Sequence, residues 1–132
     1  MSRSPNQKHN ARLNYEGEIR FGPSFYRLEI NGTELRRRIF GDHMIWSDDS
    51  MVLAAQEWLT TDYVKGPITR VLLIDVEPQR VAELEVVEKG FVEDFIFRDQ
   101  VFIYRKSFKA TGQSVEAEVQ ISDIVNWKPM VP

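Results

Sequence analysis

Cysteine is absent from this chain of 132 residues, which excludes disulfides and thiol chemistry and is typical of a reducing compartment. Histidine is scarce, with two residues, and the seven glycines are scattered, so the sequence contains no glycine-rich loop that could hold a phosphate. Residues 1–14 include no apolar run and therefore predict neither a signal peptide nor a membrane-spanning helix. These absences together predict a cytoplasmic protein with no membrane partner and no cofactor.

The chain contains enough apolar material for one domain. Hydrophobic residues make up 42% of it, and its aromatic residues comprise 3 Trp, 4 Tyr and 8 Phe. A chain of this length buries about two thirds of the surface that its unfolded form exposes, so it can fold without disulfides. Residues 1–12 are polar and aperiodic and predict a flexible N-terminal tail. Residues 13–132 are then expected to form a single β domain.

Alternation of apolar and polar residues runs through most of the chain and predicts β-strands with one buried face. Residues 24–30 alternate in this way, and Asn31-Gly32 after them is a strong hairpin signal. Residues 33–40 would be the partner strand, on which Arg36-Arg37-Arg38 is expected to form a solvated edge. The apolar run at residues 71–74 predicts a central strand covered on both faces. The fold class is therefore all-β, an antiparallel meander of about nine strands.

Residues 45–54, Ile-Trp-Ser-Asp-Asp-Ser-Met-Val-Leu-Ala, are the most informative segment. They resemble the Trp-Ser-Pro-Asp-Gly turn and following strand in blades of TolB-like and WD40-type β-propellers, although Asp48 replaces the proline and Ser50 the glycine. A propeller requires at least four blades of about 40 to 45 residues, so a closed propeller is excluded. The resemblance implies blade-like sheets stacked as a sandwich, with a turn held by Ser and Asp side chains.

Charge is distributed unevenly along the chain. The net charge is −3, but residues 41–99 alone carry 5 Lys and Arg against 13 Asp and Glu. An acidic block of this kind attracts a basic partner and repels phosphate backbones. We therefore expect a protein partner and no nucleic acid.

Potential metal ligands occur at Asp42-His43 and Asp48-Asp49, but their spacing matches no recognised binding loop, so the sequence predicts no metal site. A nucleophilic triad would have to use His43, because His9 falls in the predicted tail, and no Gly-x-Ser-x-Gly turn accompanies it. We therefore predict that the protein is not an enzyme and has no catalytic residues. The polar side chains are expected to stay dispersed rather than gather in a reactive hollow.

In residues 57–63, Glu-Trp-Leu-Thr-Thr-Asp-Tyr, two large aromatic residues are interleaved with acids at a strand end and in the loop after it. This composition is expected of a binding hot spot that faces a basic partner. A core position for Trp58 is the alternative. The predicted partner-binding residues are Asp48, Asp49, Glu57, Trp58, Asp62 and Tyr63. Reversing Asp48, Asp49, Glu57 and Asp62 to Lys should then weaken partner binding and leave the fold intact.

Four stretches carry a second resemblance: Phe21-Gly22-Pro23-Ser24, Trp46-Ser47-Asp48-Asp49-Ser50, Gln56-Glu57-Trp58 and Leu72-Leu73-Ile74-Asp75. With them, the chain resembles small bacterial proteins encoded beside secreted polymorphic toxins. This resemblance implies an immunity protein, or antitoxin, that inhibits a basic toxin domain by occluding its substrate cleft. A structural or adaptor β module that mediates protein binding or self-association is the alternative, and a small enzyme is a third possibility.

Overall fold

The computed structural model describes residues 2–20 and 22–131, and for Tyr63 it describes the backbone alone. These residues include two short 3-10 helices, Tyr63–Lys65 and Ile121–Asp123. Within the described ranges, no helix is long and apolar enough to cross a membrane. The strands are β1 Ser2–Arg3, β2 Asn10–Glu18, β3 Ser24–Ile30, β4 Thr33–Glu34, β5 Ile39–Trp46, β6 Val52–Trp58, β7 Ile68–Asp75, β8 Arg80–Glu83, β9 Val87–Glu88, β10 Phe91–Arg98, β11 Val101–Phe108, β12 Gln113–Gln120 and β13 Lys128–Pro129.

The strands form two antiparallel sheets. The large sheet has the order β1-β2-β3-β5-β6-β7-β8-β13, with β4 added to β3 and β9 to β7, and the small sheet has the order β10-β11-β12. Strand β10 packs against β5, β6 and β7, so the small sheet covers one face of the large sheet. The predicted all-β antiparallel sandwich is confirmed. Nine of the strands have four residues or more, and nearly all of them pair with a neighbour in sequence.

Both faces of the large sheet carry a buried core. On one face Leu53, Leu72 and Ile74 pack with residues from β2, β3, β5 and β8, and among the described residues this cluster takes no member from the small sheet. The large sheet must therefore curl around its own apolar side chains. On the other face Val71 and Leu73 pack with Val92, Phe102 and Tyr104 of the small sheet. The prediction that residues 71–74 form a central strand covered on both faces is confirmed.

The hairpin at Asn31-Gly32 forms as predicted. Both residues have positive φ angles, 49° and 86°, which suit the tight turn that joins two twisted strands. Glu29 lies opposite Glu34, the register of a two-residue loop. The expected single strand over residues 33–40 is wrong, because the chain turns at Arg36-Arg37 and starts a new strand, β5, at Ile39. This turn directs Arg38 inward instead of along a solvated edge.

The N-terminal segment is ordered within the residues described. Ser2 pairs with Ala11, whose side chain is fully buried, and β2 begins at Asn10. Polar side chains shape the connection, since the Ser4 hydroxyl donates to Asn6 Oδ1 at 2.7 Å and accepts from the His9 amide at 3.1 Å. Regular secondary structure therefore begins before the predicted boundary at residue 12. The connection between β1 and β2 is held by polar contacts, which leave no hydrophobic periodicity in the sequence.

Candidate functional site

The turn between β5 and β6 is held by its own side chains. The Ser47 hydroxyl donates to Asp49 Oδ1 at 2.6 Å, and the Met51 amide donates to the same oxygen at 3.0 Å. Ser50 has a φ of 66°, in the left-handed region, at the position where the propeller turn has glycine. Ser and Asp side chains thus hydrogen-bond the turn as the sequence predicts. Asp48 makes no such bond among the described residues and is exposed.

A shallow depression of about 370 Å³ lies beside this turn, and we call it the turn-end depression. At its border, the Arg80 guanidinium lies 4.6 Å from the centroid of the Trp127 ring, and Arg80 Nε donates to Asp75 Oδ2 at 2.9 Å. The depression therefore combines apolar contact area with polar groups that are already fixed in place. Its lining consists of Asp49, Met51, Val52, Asp75, Arg80, Gln100, Ile121, Ser122, Ile124 and Trp127.

Three exposed carboxylates are adjacent in sequence to residues that line the turn-end depression. These carboxylates belong to Asp48, Asp99 and Asp123. They come from three separate connections, the turns after β5 and β10 and the 3-10 helix after β12. The fold thus collects acids that are far apart in sequence at one end of the sandwich. Asp99 and Asp123 were not among the predicted binding residues, because their proximity depends on how the two sheets stack.

Glu57 and Trp58, predicted to bind a partner, lie in the interior. Their exposed fractions are 3% and 4%. Trp58 Nε1 donates to Gln56 Oε1 at 2.9 Å, and Gln56 Nε2 donates to the Val92 carbonyl at 2.7 Å, so this pair ties the large sheet to the small one. Neither residue offers an accessible side chain to a partner. Trp58 therefore lies in the core, which was the alternative prediction for it.

Glu57 belongs to a network of five charged side chains. Arg38 Nη1 donates to Glu57 Oε2 and to Glu83 Oε2, both at 2.9 Å. Arg70 bridges the same two carboxylates, from Nε to Glu57 Oε1 at 2.8 Å and from Nη2 to Glu83 Oε2 at 2.6 Å. Lys128 Nζ completes the network on Glu83. Three cations therefore share two carboxylates. A Lys at position 57 would place a fourth cation among them, so we expect Glu57→Lys to destabilise the fold, contrary to the prediction from the sequence.

The network changes the acidity of its members. Burial by itself would raise the pKa of Glu83, but hydrogen bonds from Lys128 and Arg38 and the charge of Arg70 outweigh burial and lower that pKa. Burial would lower the pKa of Arg38, but the charge of Glu57 and the hydrogen bonds that Arg38 donates to both carboxylates raise it. The network therefore favours the charged forms of Glu83 and Arg38.

Asp62 and Tyr63 lie beyond the opposite end of β6 from Asp48-Asp49. Asp62 is exposed, and its Oδ1 accepts a hydrogen bond from the Val64 amide at 3.0 Å. The Tyr63 side chain lies outside the described part of the chain. Strand β6 has seven residues and so separates the two groups by about 23 Å. The six predicted residues thus divide between two ends and the interior and do not form one surface.

A second hollow, about 840 Å³ in volume, opens over the charged network, and we call it the basic groove. Leu59, Thr60, Pro129 and Val131 contribute to its walls. Two carboxylates, Glu57 and Glu83, lie in it against six cations. The cations are Arg27, Arg36, Arg37, Arg38, Arg70 and Lys128. The sequence contains a pattern that could have predicted this cluster: on each of β6, β7 and β8, a charged residue lies two positions from the end of the apolar face.

A third hollow of about 370 Å³ brings polar residues together between β5 and β10, contrary to the expectation that they stay dispersed. Asp42, His43, Glu93 and Lys109 all line it. His43 Nε2 lies 3.6 Å from Asp42 Oδ1, longer than a hydrogen bond, and no hydrogen bond orients the imidazole within the described residues. This geometry does not place a nucleophile beside an oriented base, the pairing that acyl transfer needs.

The four potential metal ligands occupy different parts of the fold. Asp42-His43 line the hollow beside β10, whereas Asp48-Asp49 lie at the turn end. Nowhere in residues 2–20 and 22–131 do three or more His, Cys, Asp or Glu side chains converge in a way that could hold a metal ion.

Comparisons with models of known protein families, with curated proteins and with solved structures gave no match. The propeller-blade and immunity-protein resemblances therefore stay predictions from the sequence.

Proposed function

We propose that this protein is an immunity protein that binds and occludes a basic toxin domain, using the turn-end depression and its acidic rim. The observation that supports the proposal is the combination of partly buried apolar side chains, including Trp127, with three exposed carboxylates adjacent in sequence to the lining residues. Interface hot spots have this composition, an aromatic or aliphatic centre inside a polar border. Asp48 and Asp49 keep the binding role that the sequence assigned to them, while Glu57 and Trp58 lose it.

The mechanism is occlusion without chemistry. A nuclease or ADP-ribosyltransferase domain presents a basic cleft to its anionic substrate, and an acidic surface that covers the cleft excludes the substrate. Long-range attraction between the two surfaces accelerates their association, and this acceleration weakens as salt screens the charges. The encounter would take place in the cytoplasm, the location expected of the cysteine-free chain.

The test uses the effector domain encoded by the adjacent gene, titrated calorimetrically with matched charge-reversal variants. Asp48→Lys with Asp123→Lys alters two exposed acids of the rim, neither of which bonds another described residue. Glu116→Lys with Glu118→Lys is the control, because these exposed acids lie on β12 and the change in net charge is identical. We expect the rim pair to weaken binding at least tenfold, and the control pair to weaken it about twofold or less.

Two results would contradict the proposal. The first is the absence of any secreted effector beside the gene together with no growth protection by this protein when such effector domains are co-expressed. The second is equal loss of affinity in the rim pair and the β12 pair, since net charge alone would then explain binding. Far-ultraviolet circular dichroism of both variants verifies that the fold is retained.

A structural or adaptor role, through strand addition at β12, is the second candidate. All eight residues of β12 pair in register with β11, and no strand covers its other edge in the described chain. A regular, exposed edge of this length can template another strand. Glu116 and Glu118 would oppose each other in an antiparallel pair of two copies centred on Ala117, which disfavours self-association. Loss of binding in the β12 pair alone would favour this role.

A further inference from the structure

The basic groove carries more positive charge than its own carboxylates can balance. Six cations face two acids across its lining, although the whole chain has a net charge of −3. One of the six, Arg27, pairs with Glu16 outside the lining, with 3.5 Å between Nε and Oε2, so five cations remain against the two acids. Arg36 and Arg37 are exposed, and neither has an ion-pair partner within the described residues. The turn at residues 36–37 places both side chains in the lining of the hollow. The groove therefore provides a local site for an anion.

The partly buried network beneath them is also incomplete in charge. Arg38, Arg70 and Lys128 share only Glu57 and Glu83. In addition, Arg38 Nε and Nη2 and Arg70 Nη1 have no acceptor among the described residues. The Arg38 and Arg70 side chains are only 20% and 17% exposed, so water screens their excess charge less than at an open surface. One more negative group would balance the network.

We propose that the basic groove binds an acidic peptide segment of a second protein, with a carboxylate of that segment placed over Arg38 and Arg70. Planar guanidinium groups bind carboxylates through paired N–H donors. Further carboxylates of the segment bind Arg36 and Arg37 at the border. Leu59 and Val131, which are 38% and 66% exposed, provide apolar contact for the remainder of the peptide.

Two observations favour a peptide over a nucleic acid. Glu57 and Glu83 form part of the groove. A peptide carries its carboxylates on flexible side chains and can direct them to the arginines and away from these two acids, whereas the phosphates of a nucleic-acid strand belong to its backbone. The acidic rim at the other end also prevents a basic track from extending along the molecule, and such a track is what a nucleic-acid strand follows. This site is separate from the turn-end depression, so it can fail or succeed independently of the proposed function.

The probe is a fluorescein-labelled hexaglutamate peptide, followed by fluorescence anisotropy at low salt, beside a hexaglutamine peptide and a labelled oligothymidylate of equal length. The variant is Arg36→Gln with Arg37→Gln. Its matched control is Lys89→Gln with Arg98→Gln, which removes the same charge from exposed positions outside the groove. The match extends to the backbone, because Arg37 and Lys89 both have positive φ angles, 65° and 59°.

We expect the wild-type protein to bind hexaglutamate more tightly than either other probe, with at least about tenfold loss of affinity in the groove variant and about twofold or less in the control. Each of three results would overturn the proposal: hexaglutamine binds as tightly as hexaglutamate, both variants lose affinity equally, or oligothymidylate binds best. Absence of hexaglutamate binding at millimolar concentration would overturn it as well. Matching thermal unfolding of the two variants verifies that any loss arises in the groove.

Discussion

The curled face of the large sheet has an apolar half and a charged half, built by the same strands. On β6, Glu57 lies two positions after the apolar pair Leu53 and Ala55. On the antiparallel strand β7, Arg70 lies two positions before the apolar pair Leu72 and Ile74. The apolar half is buried, whereas the charged half opens into the basic groove, and the two halves are stabilised by different physics. The apolar half gains free energy from every side chain that it buries, whatever its neighbours. The charged half is stable only while each carboxylate keeps its arginines.

This difference predicts how each half tolerates change. An apolar core accepts another hydrophobic side chain of similar volume at a cost below about 1.5 kcal/mol. A buried ion network does not accept the loss of one member, because the remaining charges keep their desolvation penalty and lose their compensation. The charged half should therefore respond to single substitutions more steeply than its partial exposure indicates.

The largest effect is expected for Glu57→Ala. The change leaves Arg38 and Arg70 facing each other with one carboxylate fewer, and it should lower the free energy of unfolding by about 3 to 5 kcal/mol. Urea unfolding followed by tryptophan fluorescence measures the loss. For comparison, Leu72→Ala, a fully buried truncation in the apolar half, belongs to a class that costs about 2 to 5 kcal/mol.

Glu116→Ala is the control for this substitution, because it removes the same side chain from an exposed strand and should change stability by about 0.5 kcal/mol or less. A loss at Glu57 no greater than that at Glu116 would mean that the two halves do not differ. Arg38 and Arg70 would then be solvated well enough to dispense with their partner.

A smaller effect is expected from acidification. Because the folded-state pKa of Glu83 lies below its ordinary value of 4.5, its ionised form stabilises the fold above that value. This stabilisation is lost as the pH falls below 4.5 towards the folded-state pKa. In urea unfolding, the difference in stability between wild type and Glu83→Gln should therefore be largest at neutral pH and narrow below pH 4.5. A constant difference across this range would contradict the prediction, as would equal narrowing for Glu116→Gln.

The smallest effect is expected for Lys128→Met. Its side chain is 50% exposed, and Glu83 keeps both arginines when the lysine is removed. The measured cost should be about 1 kcal/mol or less, as for other solvent-exposed ion pairs, and should shrink further in high salt. A cost above about 2 kcal/mol in the same urea assay would place Lys128 with the interior members of the network.

Local signals predicted much of the fold. The Asn31-Gly32 turn and the doubly covered run at residues 71–74 are each set by residues adjacent in sequence, and both are observed. Strand β8 is shorter than its alternation indicates: it ends at Glu83, and Val86 beyond it is 43% exposed. Alternation reports which residues could share a face, but it does not report where neighbouring strands stop pairing.

The candidate sites were less predictable because their residues come from distant parts of the chain. Glu57 looks like a surface acid in sequence, but its partners Arg38 and Arg70 lie 19 residues before it and 13 residues after it, and only the sheet register brings them together. Arg38 itself was expected on an exposed edge, since nothing in the three consecutive arginines marks the turn before it. Of the four acids that the sequence predicted to bind a partner, Asp48, Asp49 and Asp62 are exposed, whereas Glu57 is buried.

The sequential strand order has a consequence for the time course of folding. From β1 to β8 and again from β10 to β12, nearly every strand finds its partner across one short connection, so hairpins can form before distant segments meet. Closing short loops costs little chain entropy, which makes this arrangement fast for an all-β protein. The steps that require distant segments to meet are the docking of the second sheet, which covers the face of β6 and β7, and the return of β13 to β8 across more than forty residues.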